Sequence, residues 1–426
     1  MKKLVLGTVL AVISVPAFAT KARMIALGEN VQDNIGSLYF SDSRNIFQNA
    51  AYANDYKDMF IAEWGGSSER AAPPAVPGTN TVKGDADTTP QAEGGVLKSV
   101  GNYVYGLYLG AESPYTNELR QYTRTLNNGG FHQDNQIDVF FAGQGSMKWG
   151  LNVTYSNSKD SSQGARQSSA SVRGGIIKDN LEAFLNVSLV NEARIAARGA
   201  AGATINGEDK FQGKRGFEAG ATYNLNVVKV FGYVRHAEWR HDADSTSVGG
   251  IPSTAYTGKF DGAYWLYQVG AGKEHKLTDK TTLFTKLEYL SFNREVDPVS
   301  GAATKTITLD DWRAPLTIGL EHDAASWLTV RGSISQNILG QTDNDYNGQT
   351  ASVSSLVTGS RTSGKRSVAN TTNVNAGATL KLGEVSIDGV IGTDNNNDNG
   401  IGSTTTEKGI LSTDNLMTRV AMTYKF

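Results

Sequence analysis

Charged and apolar side chains alternate along many stretches of this 426-residue chain. Glu182 and Asn186, for example, alternate with Leu181 and Leu185. Because successive side chains of a β-strand point to opposite faces, each such stretch has one apolar and one charged face. Charges that face a water-filled channel keep their hydration, and they can replace part of the hydration shell of a passing solute. The residues predicted to line such a channel are Lys148, Arg173, Glu182, Glu218, Lys286, Glu288, Arg313, Glu321, Arg331, Lys381, Asp388 and Arg419.

This charged set has seven basic and five acidic members. Burial of so many charges in a closed core would be prohibitive, so the pattern favours a water-filled lumen and the passive diffusion of small hydrophilic solutes and ions. The near balance of signs predicts a modest ion preference. Two alternatives stay open. One is a substrate-specific transporter, and the other is a plugged barrel that acts as a surface anchor, adhesin or receptor, with its lumenal charges locked in salt bridges.

The alternating stretches come in pairs joined by short turns, such as Lys178-Asp179-Asn180 and Thr278-Asp279-Lys280. Long segments rich in Gly, Ser, Thr, Asn and Asp separate the pairs. Between Val100 and Phe426 the pattern gives about 14 strands, an even number that suits a bacterial barrel. The sequence thus predicts an all-β fold, a single transmembrane antiparallel β-barrel with short periplasmic turns and long extracellular loops. A soluble β-sandwich is disfavoured because its loops seldom alternate short and long so regularly.

The first 19 residues have the pattern of a secretory signal peptide. Lys2-Lys3 precede an apolar run from Leu4 to Val15, and Ala17-Phe18-Ala19 forms a cleavage site. The run is too short to cross about 30 Å of hydrocarbon as a helix. We therefore expect secretion to the periplasm, a mature chain that begins near Thr20, and a final location in the outer membrane.

Residues 20–99 depart from the regular alternation and are predicted to form an amino-terminal plug, a periplasmic extension or a first strand ahead of the barrel at residues 100–426. If the candidate strand from Met59 to Trp64 joins the barrel, it needs a partner, and the count becomes about 16. Asn49-Ala50-Ala51, soon after the leader, resembles the amino-terminal hatch of the long-chain fatty-acid transporter family. That family has Asn-Pro-Ala at this step.

The final strand carries a second resemblance. Met422, Tyr424 and Phe426 share its apolar face. A terminal Phe with Tyr two residues before it resembles the carboxy-terminal signature of Gram-negative outer-membrane β-barrels, and the chain is porin-like in this respect. The resemblance implies that the barrel-assembly machinery reads these residues and that lipid and lipopolysaccharide surround the barrel. A homotrimer also stays open, because an apolar outer face meets either lipid or a second subunit.

Composition excludes several other classes. The chain has no Cys, which rules out a disulfide framework and thiol catalysis. Its formal net charge of −2 does not favour nucleic acid as a partner. A mean hydropathy of −0.34 is compatible with a membrane barrel, since only alternate residues face lipid. No nucleophile and base stand at a recognisable catalytic spacing, so we predict no enzyme, no cofactor and no metal site.

Overall fold

The computed structural model describes residues 20–29, 36–65, 91–111, 136–161, 165–196, 208–243, 247–248, 251–252, 258–300, 306–345, 363–369, 372–393 and 416–426. The strands in these ranges, numbered along the chain, are β1 (Met59–Gly65), β2 (Gln91–Val100), β3 (Tyr103–Leu109), β4 (Ile137–Gln144), β5 (Lys148–Asp160), β6 (Ala165–Lys178), β7 (Leu181–Ala196), β8 (Glu208–Asn224), β9 (Lys229–Ala243), β10 (Ser247–Val248), β11 (Ile251–Pro252), β12 (Gly258–Thr278), β13 (Thr281–Ser300), β14 (Ile307–Ala325), β15 (Leu328–Asp345), β16 (Gly364–Ser367), β17 (Thr372–Leu382), β18 (Val385–Thr393) and β19 (Leu416–Lys425).

Among these described strands, 16 close into one antiparallel barrel. The remaining three are β10 and β11, which pair with each other, and the short β16, which adds to β15 beside β17. β1 closes the barrel because Met59 lies opposite both Lys425 of β19 and Leu97 of β2. β9 pairs directly with β12, so the β10–β11 hairpin stands outside the wall.

The count of 16 agrees with the second predicted number and corrects the first, about 14. The difference comes from the wall beginning at Met59. The strand Met59–Gly65 has the partner that an even count requires, Gln91–Val100, which pairs in turn with Tyr103–Leu109. Gly94 and Gly95 interrupt the apolar alternation of that partner strand, because a glycine shows no facing preference in the sequence.

The outer face of the wall is apolar, as the period-two pattern predicts. Leu189, Val269 and Leu382 are 61%, 57% and 57% exposed. On β3 to β5, the rings of Tyr103 and Trp149 each pack on Phe141, with centroids 5.5 and 5.2 Å apart. A continuous exterior of this kind suits hydrocarbon with aromatic girdles rather than water.

One rim of the barrel is made of tight turns. Gly101, Asp179, Asn226 and Gly383 take positive φ angles of 60°, 52°, 66° and 65° in these turns, a conformation that Gly, Asn and Asp tolerate. The connections at the other rim fall largely outside the described residues. Which rim faces the periplasm stays a prediction.

The helical elements that the structure describes all lie in the amino-terminal part of the chain. They are α1 (Lys21–Ala26) and two 3₁₀ turns, Ser43–Phe47 and Ala50–Asn54. Within the residues that the structure describes, no helix has the length and apolar character needed to cross a membrane.

Candidate functional site

The lumen of the barrel contains residues 20–29 and 36–58, which we call the lumenal segment. Thr20, Asp42 and Asn49 start its three helical elements, and each side chain accepts a hydrogen bond from a backbone N–H of the turn that follows. Among the segment's described residues only Ser41, Asp55 and Lys57 are exposed. A segment of little regular structure is therefore enclosed almost completely by the wall.

Three apolar clusters hold the segment, and the smallest joins Ala22, Ile25 and Ala26 to Val390 of β18. In the first, Met24, Leu27, Leu38, Tyr39 and Phe40 pack against inward residues of β7 to β9, β12 and β13. In the second, the two 3₁₀ turns pack against β1 to β4 on the opposite side, and the segment's contributors are Ile46, Phe47, Ala50, Tyr52, Ala53 and Tyr56. The segment thus crosses the lumen and contacts both sides of the wall.

Charged groups link residues 20–29 to strands β13, β14 and β18. Arg23 Nε donates to Glu321 of β14 at 3.0 Å, and Arg23 Nη1 lies 3.2 Å from Asp42 Oδ2. Arg331 of β15 contacts Glu321 and lies 3.2 Å from Asp388 of β18. Wall and segment therefore share one chain of ion pairs.

A second buried group involves β13. Lys286 Nζ lies 3.0 Å from Glu29 of the segment and 2.9 Å from Glu288 on its own strand. Gln268 of β12 donates to Glu288 at 2.6 Å. Two carboxylates thus compensate the charge of this lysine, as a buried charge requires.

A third group lies against β1 and β2. Arg44 Nη1 is 2.8 Å from Glu93 and 4.0 Å from Glu63, and it also donates to the Tyr108 hydroxyl at 3.2 Å. Lys21 Nζ is 2.8 Å from the same Glu93. The Arg44 guanidinium stands 4.2 Å from the ring centroid of Phe47, a cation–π contact.

Neutral groups and close approach dominate in the second half of the segment. Asn49 Nδ2 donates to the Ile176 carbonyl at 3.3 Å, and Asn54 Nδ2 donates to the Trp149 carbonyl at 3.1 Å. Gly150 of β5 leaves the space for this contact, since a Cβ there would lie 2.1 Å from the Ala50 carbonyl oxygen. The glycine at position 150 therefore allows the backbone of Ala50 to approach strand β5 closely.

Three carboxyl groups of the segment have shifted pKa values, and burial raises the pKa of the first, Glu29. Burial raises the pKa of Asp42 to about 6, against the opposing effect of Arg23. Hydrogen bonds from Lys98 and Ser99 lower the pKa of Asp58, at the junction with β1, to about 2. Asp42 is therefore a carboxyl group whose surroundings do not fully compensate its negative charge.

The predicted pore-lining residues whose side chains the structure describes lie on the inner face, and most have partners there, so their role in lining a pore stays a prediction. Arg173, Glu218, Lys286, Arg331 and Asp388 are each less than 9% exposed. The partners not yet mentioned are Asp55 for Lys148, Asn152 for Arg173 at 2.7 Å, Tyr52 and Lys229 for Glu182 at 2.7 and 2.9 Å, Arg235 for Glu218 at 2.9 Å, and Asp323 for Lys381 at 2.8 Å.

The other predicted residues are placed as follows. Arg313 is half-buried at an inward position of β14. The backbone of Arg419 pairs with Gly65 and Val390, while its side chain is outside the described set. Of the predicted assembly signal, Tyr424 and Phe426 are exposed beside each other, with ring centroids 6.0 Å apart. Whether assembly factors read these residues stays a prediction.

Sequence reasoning missed the apolar side of the lumen. Phe211, Tyr233, Trp239 and Tyr264 point inward from β8, β9 and β12 and are at most 6% exposed. Tyr264 could have been found, because Trp265, Tyr267 and Val269 have the spacing of a lipid-facing set and the period of two then turns Tyr264 inward. Phe211 could not, since β8 has an irregular register between Gly213 and Arg215 that reverses its facing.

A closed antiparallel barrel with an apolar exterior, a charged interior and an enclosed amino-terminal segment defines the class of outer-membrane β-barrel proteins. The predicted class and the outer-membrane location are thereby confirmed. No family model matches the chain, and no curated protein matches it.

Several solved structures are similar to this chain. The outer-membrane channel DcaP of Acinetobacter baumannii has 12% identity and a TM-score of 0.39, over 86% of this chain and 95% of that chain. The toluene transporter TbuX of Ralstonia pickettii has 12% identity and a TM-score of 0.38, over 96% and 98%. A FadL homologue of Pseudomonas aeruginosa has 11% identity and a TM-score of 0.38, over 92% and 96%.

Proposed function

We propose that this barrel is a selective outer-membrane transport channel whose lumen is narrowed by its own amino-terminal segment. The observation that carries the proposal is the burial of residues 20–29 and 36–58 across the lumen, with partners on both sides of the wall. General diffusion of hydrophilic solutes needs hydrated wall charges, whereas Lys286, Arg331 and Asp388 are buried in ion pairs. Selective transport therefore fits this lumen better than an open porin does.

The apolar side of the lumen supports a class of solute. Trp239 and Tyr264 have ring centroids 6.5 Å apart, and Tyr264 and Phe292 are 5.4 Å apart. The lumenal segment covers these rings in the structure, and once it moves aside aromatic surfaces of this kind bind rings and other apolar groups by stacking and burial. Small solutes with an aromatic or apolar part are the substrates that we propose. Chemical conversion of the solute forms no part of the proposal.

The experiment is conductance and uptake with the refolded mature chain. In planar bilayers we expect small single-channel conductance. In proteoliposomes we expect L-phenylalanine to enter faster than L-serine and its uptake to saturate. The two solutes share their charged groups and differ mainly by the ring, so their ratio reports on the aromatic lumen.

Other outcomes would overturn the proposal. Large ohmic conductance with equal, unsaturated entry of both amino acids would establish a general diffusion pore. Absence of conductance and of uptake for both solutes would favour the plugged surface receptor. Trimer formation and recognition by the assembly machinery are separate predictions that this experiment leaves untouched.

A further inference from the structure

The ion pairs around the start of the lumenal segment form two groups, and the backbone N–H of Arg44, which donates to Asp42 at 2.9 Å, joins them into one cluster of unequal charge. Within the described residues, the carboxylates that these ion pairs join are Asp42, Glu63, Glu93, Glu321 and Asp388, and the cationic side chains are Lys21, Arg23, Arg44 and Arg331. The cluster has one more carboxylate than it has cations. Excess negative charge is costly in a buried site, because each charge loses hydration there.

Thr20 lies at the centre of this cluster. It is 0% exposed, and its Oγ1 donates to Asp388 Oδ2 at 3.3 Å. The next backbone nitrogen, that of Lys21, is 3.3 Å from Glu63 Oε2. Since the nitrogen of Thr20 is covalently within about 4 Å of both its own Oγ1 and the nitrogen of Lys21, it lies at most about 7 Å from a carboxylate oxygen of Asp388 and of Glu63.

Asp42 is a carboxyl of this cluster whose negative charge burial disfavours. Burial raises the pKa of this carboxyl to about 6 although Arg23 lies 3.2 Å away. One further cation in the cluster would offset that effect.

We propose that the α-ammonium group of Thr20, released by cleavage after Ala19, is the missing cation and holds the start of the lumenal segment against Asp388 and Glu63. Hydrolysis of the Ala19–Thr20 peptide bond consumes one water and yields the Ala19 carboxylate and the Thr20 ammonium. Seating of the segment is thereby coupled to processing. The inference rests on the predicted cleavage site and on the lumenal position used in the proposed function.

The first test uses the chemistry of an amino-terminal threonine. Periodate cleaves the adjacent amine and hydroxyl of such a residue, and a mature chain has only one residue of this kind. Protein isolated from outer membranes should begin at Thr20 by mass spectrometry. In the folded protein its oxidation should be at least 100-fold slower than in the urea-unfolded chain.

The second test removes the charge alone. Transamination with pyridoxal 5′-phosphate on the unfolded chain turns the α-amine into a ketone and keeps the Thr20 side chain. The chain has no Cys, so Ala22→Cys, at a site 2% exposed, gives a single thiol whose labelling reports undocking. We expect at least tenfold faster labelling after transamination.

Asp388→Asn supplies the matched background, because it removes the carboxylate that the ammonium faces. In the Asp388→Asn background, transamination should increase the labelling rate of the Ala22→Cys thiol less than about threefold if charge pairing is the cause. An equal effect in both backgrounds would assign the role to something other than this pair and would overturn the proposal. A chain that begins elsewhere, or a Thr20 as reactive folded as unfolded, would do the same.

The two proposals fail separately. If the channel is selective and weakly conducting but Thr20 reacts with periodate in the folded protein, the proposal about the Thr20 ammonium is wrong and the proposed function stands. If Thr20 is protected but the barrel conducts freely, the proposed function is wrong and the proposal about the Thr20 ammonium stands.

Discussion

The two ends of the lumenal segment are bound to the wall by different physics. Residues 20–29 add two buried ion-pair groups to the apolar contacts of α1, with Arg23 and Glu29 paired to strands β14 and β13. Residues 43–56 are held mainly by the packing of Phe47 and its neighbours and by hydrogen bonds to backbone carbonyls, and Arg44 pairs with Glu93 beside them. Removal of one partner from a buried ion pair leaves an uncompensated buried charge, which is strongly destabilising. Truncation of an apolar side chain instead costs stability in proportion to the volume that is removed.

This difference suggests a division of labour within the channel. Residues 43–56 lie next to β1 in the chain and fit the glycines of β5 and β6, so they act as the fixed part. Residues 20–29 depend on charge balance, and they are the part that a solute or a change in charge could release. The predictions use two single-thiol reporters, Ala22→Cys for the first part and Ala53→Cys, at a site 0% exposed, for the second.

The largest effect is expected from Gly150→Leu. A Cβ at this position would lie 2.1 Å from the Ala50 carbonyl oxygen, and β5 is fixed by β4 and β6 on either side. The segment must therefore move rather than the strand. We expect Ala53→Cys to be labelled nearly as fast as in the unfolded chain and bilayer conductance to rise at least tenfold.

Gly174→Leu is the matched control. It lies on the neighbouring strand, opposite Leu151, and a Cβ there meets nothing within 4 Å. This variant should leave labelling and conductance unchanged. Equal behaviour of the two variants would show that the glycines do not admit the segment, and the fixed part would have to be sought elsewhere.

Arg23→Ala tests the charged part. In the parent chain the Arg23 guanidinium lies within 3.2 Å of both Glu321 and Asp42, and the substitution removes this cation from both carboxylates. Breaking a buried pair costs about 3 to 5 kcal/mol. Labelling at Ala22→Cys should rise by about two to three orders of magnitude, since 1.4 kcal/mol is a factor of ten. Labelling at Ala53→Cys should change much less.

Two further variants serve as controls for Arg23→Ala. Glu321→Gln in the same chain should recover part of the loss, because it removes one of the carboxylates left alone. Lys57→Ala changes an exposed cation of the same segment and should have no effect. If Arg23→Ala opened both reporters equally, the segment would be one cooperative unit and the comparison would fail.

Phe47→Ala is the corresponding change in the apolar part. Phe47 packs edge-on against Tyr108 and Phe140, with ring centroids 4.8 and 5.7 Å away. Truncation of a buried Phe costs about 3 to 5 kcal/mol, and we expect the lower end because the Arg44 side chain can settle into the space. Ala53→Cys labelling should rise by about two orders of magnitude, independently of salt. A salt-dependent effect would point to Arg44 rather than to packing.

The sequence predicted the wall well and the segment poorly, for identifiable reasons. Facing follows from a period of two, so Glu182 and Arg331 were placed on the inner face correctly. The ion-pair partners of the inner-face residues could not be predicted from the sequence, because contacts such as that of Lys286 with Glu29 join residues 257 positions apart. Gly150 looks like any strand glycine until the backbone that it accommodates is known. Alternation marks a face as polar, and only the fold decides whether water or the chain itself occupies that face.

The smallest effect is expected at the junction of the segment with β1. Asp58 has a φ of 58°, which Asn adopts as readily as Asp, and it accepts hydrogen bonds from Ser99 at 3.2 and 2.6 Å. Its ionic partner Lys98 is 55% exposed, so Asp58→Asn should cost under about 1 kcal/mol in unfolding experiments. The low folded pKa of Asp58, about 2, means that its stabilising contribution is present above pH 4 and is lost as the pH falls toward 2. The stabilities of Asp58→Asn and the parent chain should therefore converge over that window, whereas Asp58→Ala should be less stable at every pH because Ala adopts positive φ poorly.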